Sequence, residues 1–360
     1  MTTDYLYAGD AIAWARPGFS YEEASPVQNH LRPPPQLLLG PVPRDFGSWY
    51  YGDRQAPSVG LFRIADVTLH SDRILRHGGQ TICIEQNGMH PQAIAQVRPL
   101  PEPARMSHHG QVVLLCGPAY RMYGHWLVDF LPRLHVLSHL GLDLRRLDYL
   151  LPGDIAPFAR HWLNLLQIPD DRIRSYDVTT EFCRIEQALI PTAFRGDGRA
   201  NTLLAEAARS FKATILGTED FSATRRLFIS RRHWGNHSRT LINAAQVEQA
   251  LAADGFEIVY PEDMSVPDQL RLFSQARILI GEYGSGLHNS IFSSAGATVI
   301  ALRGTAGHPG FLQSGLCAAL EQKAGYVFCD TSTGDGPQRY SVADQDLSLL
   351  RSLISEQMKP

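Results

Sequence analysis

The chain has 360 residues, 44% hydrophobic and 19% charged, which is ordinary for a globular protein and more than one core usually holds. The 33 Lys and Arg against 36 Asp and Glu leave a formal charge of −3, too little positive charge to hold a nucleic acid. From the size of the chain we expect two domains. No apolar run approaches the ~20 residues of a membrane-spanning helix, and the opening segment lacks the pattern of a secretory signal, so we expect a cytoplasmic location.

Residues 1–105 are predicted to form a β-rich N-terminal region. Two proline clusters, RPPPQLLLGPVPR and VRPLPEPAR, bracket a stretch in which apolar and polar residues alternate with period two. That alternation, ended by turn residues, is typical of antiparallel strands.

Residues 106–217 change to short apolar strands that alternate with helical segments, which indicates parallel β-α-β units. The helices are predicted near 123–140, 157–167 and 200–216. Because the last of these ends at Gly217 and a polar stretch follows, we place a domain boundary there. Residues 1–217 then form an N-terminal domain.

Residues 218–335 repeat the alternation more clearly and predict a five-stranded, doubly wound, Rossmann-like domain. The predicted strands are RLFIS, FEIVYP, RILIG, TVIAL and YVFCD, with helices near 241–253, 266–276, 286–294 and 310–323. A last helix within residues 336–360 is predicted to pack back on the N-terminal domain. Two α/β domains that face a cleft would present their strand ends where open parallel sheets bind ligands.

The stretch GEYGSGLHNSIF, residues 281–292, follows a buried strand and opens a predicted helix. A glycine turn there leaves backbone N–H groups unpaired at the positive end of the helix, which favours an anion. Its G-x-x-G-x-G spacing differs from the dinucleotide pattern, so a nicotinamide cofactor and hydride transfer are disfavoured. A tight turn without a ligand is the alternative interpretation.

The stretch LFISRRHWGNHSR ends another strand of the same predicted sheet and contains Arg231, Arg232 and Arg239. Parallel strands bring their carboxyl ends to one edge, and guanidinium groups beside a helix start suit a diphosphate. A solvated loop is the alternative, and it fits Arg232 better than Arg231.

The stretch YGHWLVDFLPRL follows a strand and a glycine turn in the first domain. On a helix, His125, Asp129 and Arg133 share a polar face that we expect to look into the cleft, and Pro132 is expected to kink the helix. A hydrogen bond between His125 and Asp129 would orient the imidazole or tune the carboxylate for taking a proton. A surface ion pair is the alternative.

No metal site is predicted. The H-x-x-x-H pairs, His135 with His139 and His233 with His237, have no carboxylate or cysteine nearby in sequence to complete a coordination shell. The five cysteines are odd in number and widely spaced, which indicates buried structural thiols.

Taken together, YGHWLVDFLPRL, LFISRRHWGNHSRTLINAAQVEQAL and the segment from GFEIVYP to ATVIAL resemble the glycosyltransferase family 61 domain over about residues 111–325. Its members include capsule and lipopolysaccharide enzymes, plant xylosyl- and arabinosyltransferases and an O-linked GlcNAc transferase. The resemblance implies a two-domain GT-B fold, in which residues 1–217 would be the acceptor-side domain, and a metal-independent, inverting transfer from a nucleotide sugar to a hydroxyl. We expect the nucleotide sugar to be UDP-linked and expect no other cofactor. The N-terminal hundred residues lie outside it.

The chain departs from the family pattern at four positions. Tyr283, Ser285 and His288 vary the glycine-rich motif, and Ala301 stands where the family has an acidic residue. These changes bear on donor preference and on activity itself.

The resemblance and the residues together assign candidate roles. The predicted donor-binding residues are Arg231, Arg239, Tyr283, Gly284, Ser285, Gly286, His288 and Asn289. Asp129 is favoured as the catalytic base, with His125 positioning it or the acceptor, because inversion needs a base on the side opposite the diphosphate.

The predicted function is sugar transfer to a saccharide or glycolipid acceptor in capsular polysaccharide, exopolysaccharide or lipopolysaccharide synthesis. The predicted location is the cytoplasm, at the inner face of the membrane, with peripheral membrane contact through the acceptor. The alternative is a non-catalytic protein of the same fold that binds a nucleotide or sugar as an assembly partner.

Overall fold

The computed structural model describes residues 5–7, 17–29, 32–52, 55–98, 100–102, 104–196, 198–219, 221–234, 239–305, 311–332 and 338–356. His237 and the predicted boundary between residues 335 and 336 lie outside these ranges.

The strands are numbered in chain order. They are β1 Tyr5–Tyr7, β2 Phe19–Ser25, β3 Leu37–Leu39, β4 Val59–His70, β5 Ile74–His77, β6 Gln80–Cys83, β7 Arg105–Leu114, β8 Tyr149–Pro152, β9 Ile173–Tyr176, β10 Glu181–Pro191, β11 Arg195–Gly196, β12 Arg199–Ala200, β13 Arg225–Ile229, β14 Arg239–Leu241, β15 Glu257–Val259, β16 Ala276–Glu282, β17 Thr298–Gly304, β18 Lys323–Ser332 and β19 Gln338–Ser341.

The helices include one composite helix. They are α1 Phe46–Tyr51, α2 Pro91–Ala95, α3 (α-helical Tyr123–His125, π-helical Trp126–Phe130, α-helical Leu131–His139), α4 Pro157–Leu165, α5 Leu203–Leu216, α6 Ala244–Ala253, α7 Val266–Ser274, α8 Leu312–Ala319 and α9 Asp344–Glu356. Short 3₁₀ helices lie at Glu85–Asn87, Leu144–Arg146, Asp170–Arg172, Pro261–Asp263 and Ser285–Phe292. None of the described helices is both long enough and apolar enough to cross a membrane.

The chain divides into two compact units. Unit 1 comprises residues 1–28 and 56–196, and unit 2 comprises residues 29–55 and 197–360. The domain boundary after Gly217 remains a prediction. The two compact units meet in the chain at residue 196. Residues 29–55, which include the first proline cluster, belong to unit 2.

Unit 1 is built on one mixed sheet, whose order within the described residues is β1-β6-β5-β4-β10-β7-β8-β9, with β2 on β4. Strand β10 pairs antiparallel with β4 and parallel with β7. The alternating N-terminal strands and the β-α-β strands therefore share one sheet, and their buried side chains share one core.

Helix α3 begins soon after β7 and has a π-helical turn immediately before Pro132. Proline has no N–H to donate and cannot continue a regular ladder, which accounts for an irregularity at this point. The predicted apolar stripe is present, because Trp126, Phe130, Leu134 and Leu137 are all buried.

Unit 2 contains the five predicted parallel strands, in the order β15-β13-β16-β17-β18. If these five strands are numbered 1 to 5 in chain order, their order in the sheet is 2-1-3-4-5, a common arrangement of open α/β sheets. Strand β3 adds to β18 in parallel, and β19 and β14 extend the sheet beyond it. The α/β class is confirmed, whereas the GT-B arrangement remains a prediction.

Helix α9 belongs to the core of unit 2. Its buried residues Leu347, Leu350 and Ile354 cluster with Phe228 and Val247. The same cluster includes Leu37 and Leu39, which the sequence placed in the N-terminal domain of residues 1–217. The predicted packing of this helix on that domain remains a prediction.

The order of strands in unit 2 reverses between β13 and β16, because the chain leaves β13 for β15 on one side and returns to β16 on the other. In open α/β sheets, ligands bind beyond the carboxyl ends of the strands at such a switch point. Arg231 follows the end of β13 by two residues, and Gly284 follows the end of β16 by two residues.

Candidate functional site

Glu282, the last residue of β16, organises the switch point of unit 2. Its buried carboxylate accepts hydrogen bonds from the backbone N–H of Arg231 at 3.2 Å, from the N–H of Leu241 at 3.3 Å and from the Tyr340 hydroxyl at 3.3 Å. Burial raises the pKa of Glu282, and the charge of Arg231 acts in the opposite direction. One carboxylate thus ties together the ends of three strands.

Arg231 lies against the glycine turn. A Cβ atom added to Gly284 would be 3.4 Å from Nη1 of Arg231. This nitrogen is buried, and within the described part of the chain it makes no hydrogen bond. A buried donor without an acceptor is costly, so the arrangement suits a ligand that brings an acceptor oxygen to the turn.

Tyr283 lies between two more arginines. The guanidinium carbon of Arg239 is 5.7 Å from the centre of its ring, and that of Arg303 is 5.0 Å from it. Arg303 also packs on Phe311 and Phe328, at 5.2 and 5.6 Å. Burial lowers the pKa of Arg303, and nearby Arg239 lowers it further. The edge of the sheet therefore concentrates positive charge.

Arg303 was not among the predicted residues, although the rule that identified Arg231 applies to it. It is the penultimate residue of β17, directly after an apolar run and before Gly304. Arg232, which the sequence ranked below Arg231, forms a salt bridge with Glu248 and is committed to that partner.

The segment after Gly284 is a 3₁₀ helix, Ser285–Phe292, where an α-helix was predicted near 286–294. Asn289 is 0% exposed and its amide donates to the Gly286 carbonyl at 3.1 Å. His288 is buried, with Nδ1 3.0 Å from Oε1 of Gln313. These two residues stabilise the turn, and their predicted contact with the donor remains a prediction. Ser285 and Gly286 are partly exposed at the start of this helix.

In unit 1, His125 and Asp129 form the hydrogen bond that their spacing predicts. Nδ1 of His125 is 2.6 Å from Oδ2 of Asp129. Arg195 binds the same carboxylate in a bidentate manner, with Nε 2.5 Å from Oδ1 and Nη2 2.7 Å from Oδ2. The side chain of Asp129 is 13% exposed and that of His125 is 36% exposed, so the imidazole is the accessible group.

The environment of Asp129 keeps its carboxylate ionised. Burial alone would raise its pKa, but the charge of Arg195 and the hydrogen bonds from His125 and Arg195 hold the pKa well below the usual range. A carboxylate with such a low pKa has little affinity for a proton, so Asp129 is a poor proton acceptor.

Arg133 does not lie on an accessible polar face. It is 1% exposed, donates to the Cys116 carbonyl at 2.8 Å and lies over the Phe130 ring at 4.6 Å. The prediction that Arg133 looks out with His125 is therefore wrong. The π-helical turn adds a residue between them, which changes the direction of side chains that follow it.

Nothing local in the sequence indicated Arg195, because it follows a different strand, 66 positions after Asp129. Only the parallel pairing of β10 with β7 brings the two segments together.

Residues 123–300 match the family model for Glycosyltransferase 61. The chain belongs to glycosyltransferase family 61. The matched segment includes His125, Asp129, Arg195, Arg231 and Gly284, whereas Arg303 and Tyr340 lie beyond its end. No curated protein matched the chain.

Glycosyltransferase activity requires a sugar donor and an acceptor, and membership of family 61 supports both kinds of substrate for this chain. The two units present different kinds of functional groups. Unit 2 offers arginine donors and a glycine turn to an anion, whereas unit 1 offers an imidazole held by a carboxylate.

Proposed function

We propose that this family 61 glycosyltransferase transfers a sugar, with inversion, from a UDP-linked nucleotide sugar to a hydroxyl of a saccharide or glycolipid acceptor. Its pathway would be capsular polysaccharide, exopolysaccharide or lipopolysaccharide synthesis at the cytoplasmic face of the membrane. The observation that carries the proposal is the buried, unpaired Nη1 of Arg231 beside Gly284 at the switch point of unit 2.

The donor diphosphate would bind at the Gly284 turn. Arg231 supplies a donor on one side of the turn, and Arg239, with Arg303, brings positive charge to the ring of Tyr283 on the other. Guanidinium groups bind phosphate oxygens with charge-assisted hydrogen bonds and stabilise the charge that develops on a leaving diphosphate. This charge is the reason that we propose a metal-independent reaction.

In the proposed step the acceptor oxygen forms a bond to the anomeric carbon, the bond from that carbon to the diphosphate oxygen breaks, and its electron pair leaves with the diphosphate. The acceptor proton goes to a base in unit 1. The sequence favoured Asp129 for this role. The hydrogen bonds favour the reverse assignment, with His125 as the base and Asp129 as the residue that orients it.

A non-catalytic nucleotide-binding or sugar-binding protein is the second candidate. Ala301, fully buried in β17, stands where the family has an acidic residue, so the carboxylate of the family pattern is missing from this strand. Such a protein would bind the nucleotide but would neither transfer nor hydrolyse the donor.

Calorimetric titration with UDP and with other nucleoside diphosphates, followed by transfer and hydrolysis assays with the corresponding sugars, tests the proposal. We expect UDP binding and turnover that survive EDTA. In His125→Gln we expect unchanged UDP affinity and a turnover lower by about 10²-fold, whereas the exposed-histidine control His161→Gln should behave like the wild type. Binding without any turnover of any donor would favour the second candidate, and loss of turnover in EDTA that Mn²⁺ restores would contradict metal independence.

A further inference from the structure

We propose that Arg195 is a positioning residue, which acts through Asp129 to hold His125 in the tautomer with its proton on Nδ1. The consequence for turnover rests on the proposed function, in which His125 is the base. The tautomer itself is a property of the free protein.

The first step of the argument concerns the carboxylate. Arg195 donates to Oδ1 of Asp129 at 2.5 Å and to Oδ2 at 2.7 Å. A guanidinium group has only donors, so both oxygens act as acceptors. Its positive charge and these hydrogen bonds hold the pKa of Asp129 well below the usual range, so the carboxylate is ionised at neutral pH. The bidentate geometry also fixes the plane of the carboxylate, because two parallel hydrogen bonds leave it no freedom to rotate.

The second step locates the proton of the imidazole. A distance of 2.6 Å between Nδ1 of His125 and Oδ2 of Asp129 requires a proton between them. Since Asp129 is ionised, this proton belongs to Nδ1. Nη2 of Arg195, 3.5 Å from Nδ1, is a donor and offers no alternative acceptor. The lone pair of the neutral ring is therefore on Nε2, the nitrogen that remains to accept a proton.

The third step is the support of Arg195 itself. Asn87, a buried residue, donates to the Pro191 carbonyl at 3.1 Å and accepts from the N–H of Ala193 at 2.8 Å. These bonds fix the end of β10 just before buried Phe194 and Arg195. The backbone that carries Arg195 is thus fixed by hydrogen bonds that do not involve the helix that carries Asp129.

Nitrogen-15 NMR of histidine-labelled protein measures the tautomer, at a pH where the neutral ring predominates. The His125 signals are assigned by their loss in His125→Gln. We expect a single tautomer, with the proton on Nδ1, in the wild type. Arg195→Lys keeps the positive charge but not the bidentate pair, so it should retain only part of this preference. We expect a mixture of tautomers in Arg195→Met, and a proton on Nε2 in Asp129→Asn, whose amide can donate to Nδ1. Arg145→Met, which breaks an exposed bidentate pair with Asp143, is the matched control and should leave the spectrum unchanged.

An Arg195→Met protein that is folded by circular dichroism and keeps the single tautomer of the wild type would overturn the inference, as would a wild type with its proton on Nε2. In the transfer assay, Arg195→Met should lower kcat by about 10-fold or more at unchanged donor KM, with partial rescue by Arg195→Lys. A shifted tautomer with unchanged kcat would support the positioning of His125 by Arg195 and would remove His125 from the proposed mechanism. The two proposals can therefore fail separately.

Discussion

Nη1 of Arg231 stands 3.4 Å from the position that a Cβ atom of Gly284 would occupy, so a side chain at residue 284 and a ligand held by Arg231 compete for the same space. We therefore expect a larger side chain at this position to restrict access to Nη1. Glu282 fixes the position of Arg231, because its carboxylate accepts a hydrogen bond from the Arg231 backbone N–H.

Substitution on either side of this contact should weaken nucleotide binding. Arg231→Ala removes a charge-assisted hydrogen bond worth about 1.5–3 kcal/mol, so the Kd for UDP should rise by about 10- to 100-fold. Gly284→Val should weaken binding because its side chain fills the space in front of Nη1. Isothermal titration calorimetry measures both. Arg271→Ala, which removes an exposed arginine paired with Asp268, serves as the control, and equal affinities in all four proteins would exclude this site.

Glu282→Ala should weaken the binding of UDP even though it removes a negative charge from the region of an anion. Its carboxylate positions Arg231 and Leu241 through their backbone N–H groups, and each buried donor left without a partner costs about 1–3 kcal/mol. Thermal melts with and without UDP should show a lower melting temperature and a smaller shift on binding. Tyr340→Phe removes only one of the three contacts and should have a smaller effect. Tighter UDP binding by Glu282→Ala would show that the negative charge of Glu282 opposes binding more than its hydrogen bonds to the Arg231 and Leu241 backbone support it.

Asp129 should contribute folding stability that is lost in acid. Its pKa in the folded state is held below the usual value by Arg195 and His125, so its contribution is present above about pH 4 and disappears as the pH falls toward the folded pKa. At pH 5 the wild type should be more stable than Asp129→Asn by about 3 kcal/mol, since a partly buried ion pair is broken. Urea denaturation at pH 5, 4 and 3 should show this difference shrinking. A difference that grows toward pH 3 would contradict the sign of the shift.

The five cysteines should be unreactive in the folded protein. All are free and buried, and burial raises the pKa of the Cys83 and Cys183 thiols to about 11 and that of Cys116, Cys317 and Cys329 to about 12. Because the thiolate is the reactive form, a neutral solution of the native protein should react slowly with a thiol reagent and release five equivalents only on unfolding. Rapid labelling of one cysteine, identified by mass spectrometry, would reveal local opening at that residue.

The sequence predicted the features that depend on local pattern. The apolar runs identified the five parallel strands of unit 2, and the spacing of His125 and Asp129 predicted their hydrogen bond. The strand-end rule also led to Arg231 and the glycine turn, which the structure brings into contact. Periodicity and turn chemistry act over a few residues, so a single sequence is enough to read them.

The features that the sequence did not predict depend on long-range pairing or on a change of helix type. Arg195 meets Asp129 only because β10 lies beside β7, and the burial of Arg133 follows a π-helical turn. The segment after Gly284 is too short for its apolar pattern to distinguish a 3₁₀ helix from an α-helix. The partner of helix α9 is also beyond local pattern, because amphipathicity shows that a face is buried but does not identify what covers it.

The pairing of β3 with β18 has a consequence for synthesis on the ribosome. Leu37–Leu39 pairs with Gly325–Val327, so this strand emerges long before its neighbour exists. At 5–20 residues per second, the intervening stretch of about 290 residues takes roughly 15–60 s to translate. During that interval three leucines and an unpaired strand edge are open to wrong partners, which makes this segment the place where we expect nascent chains to need a chaperone. A fragment that starts at residue 218 would lack the strand permanently and leave one side of β18 uncovered.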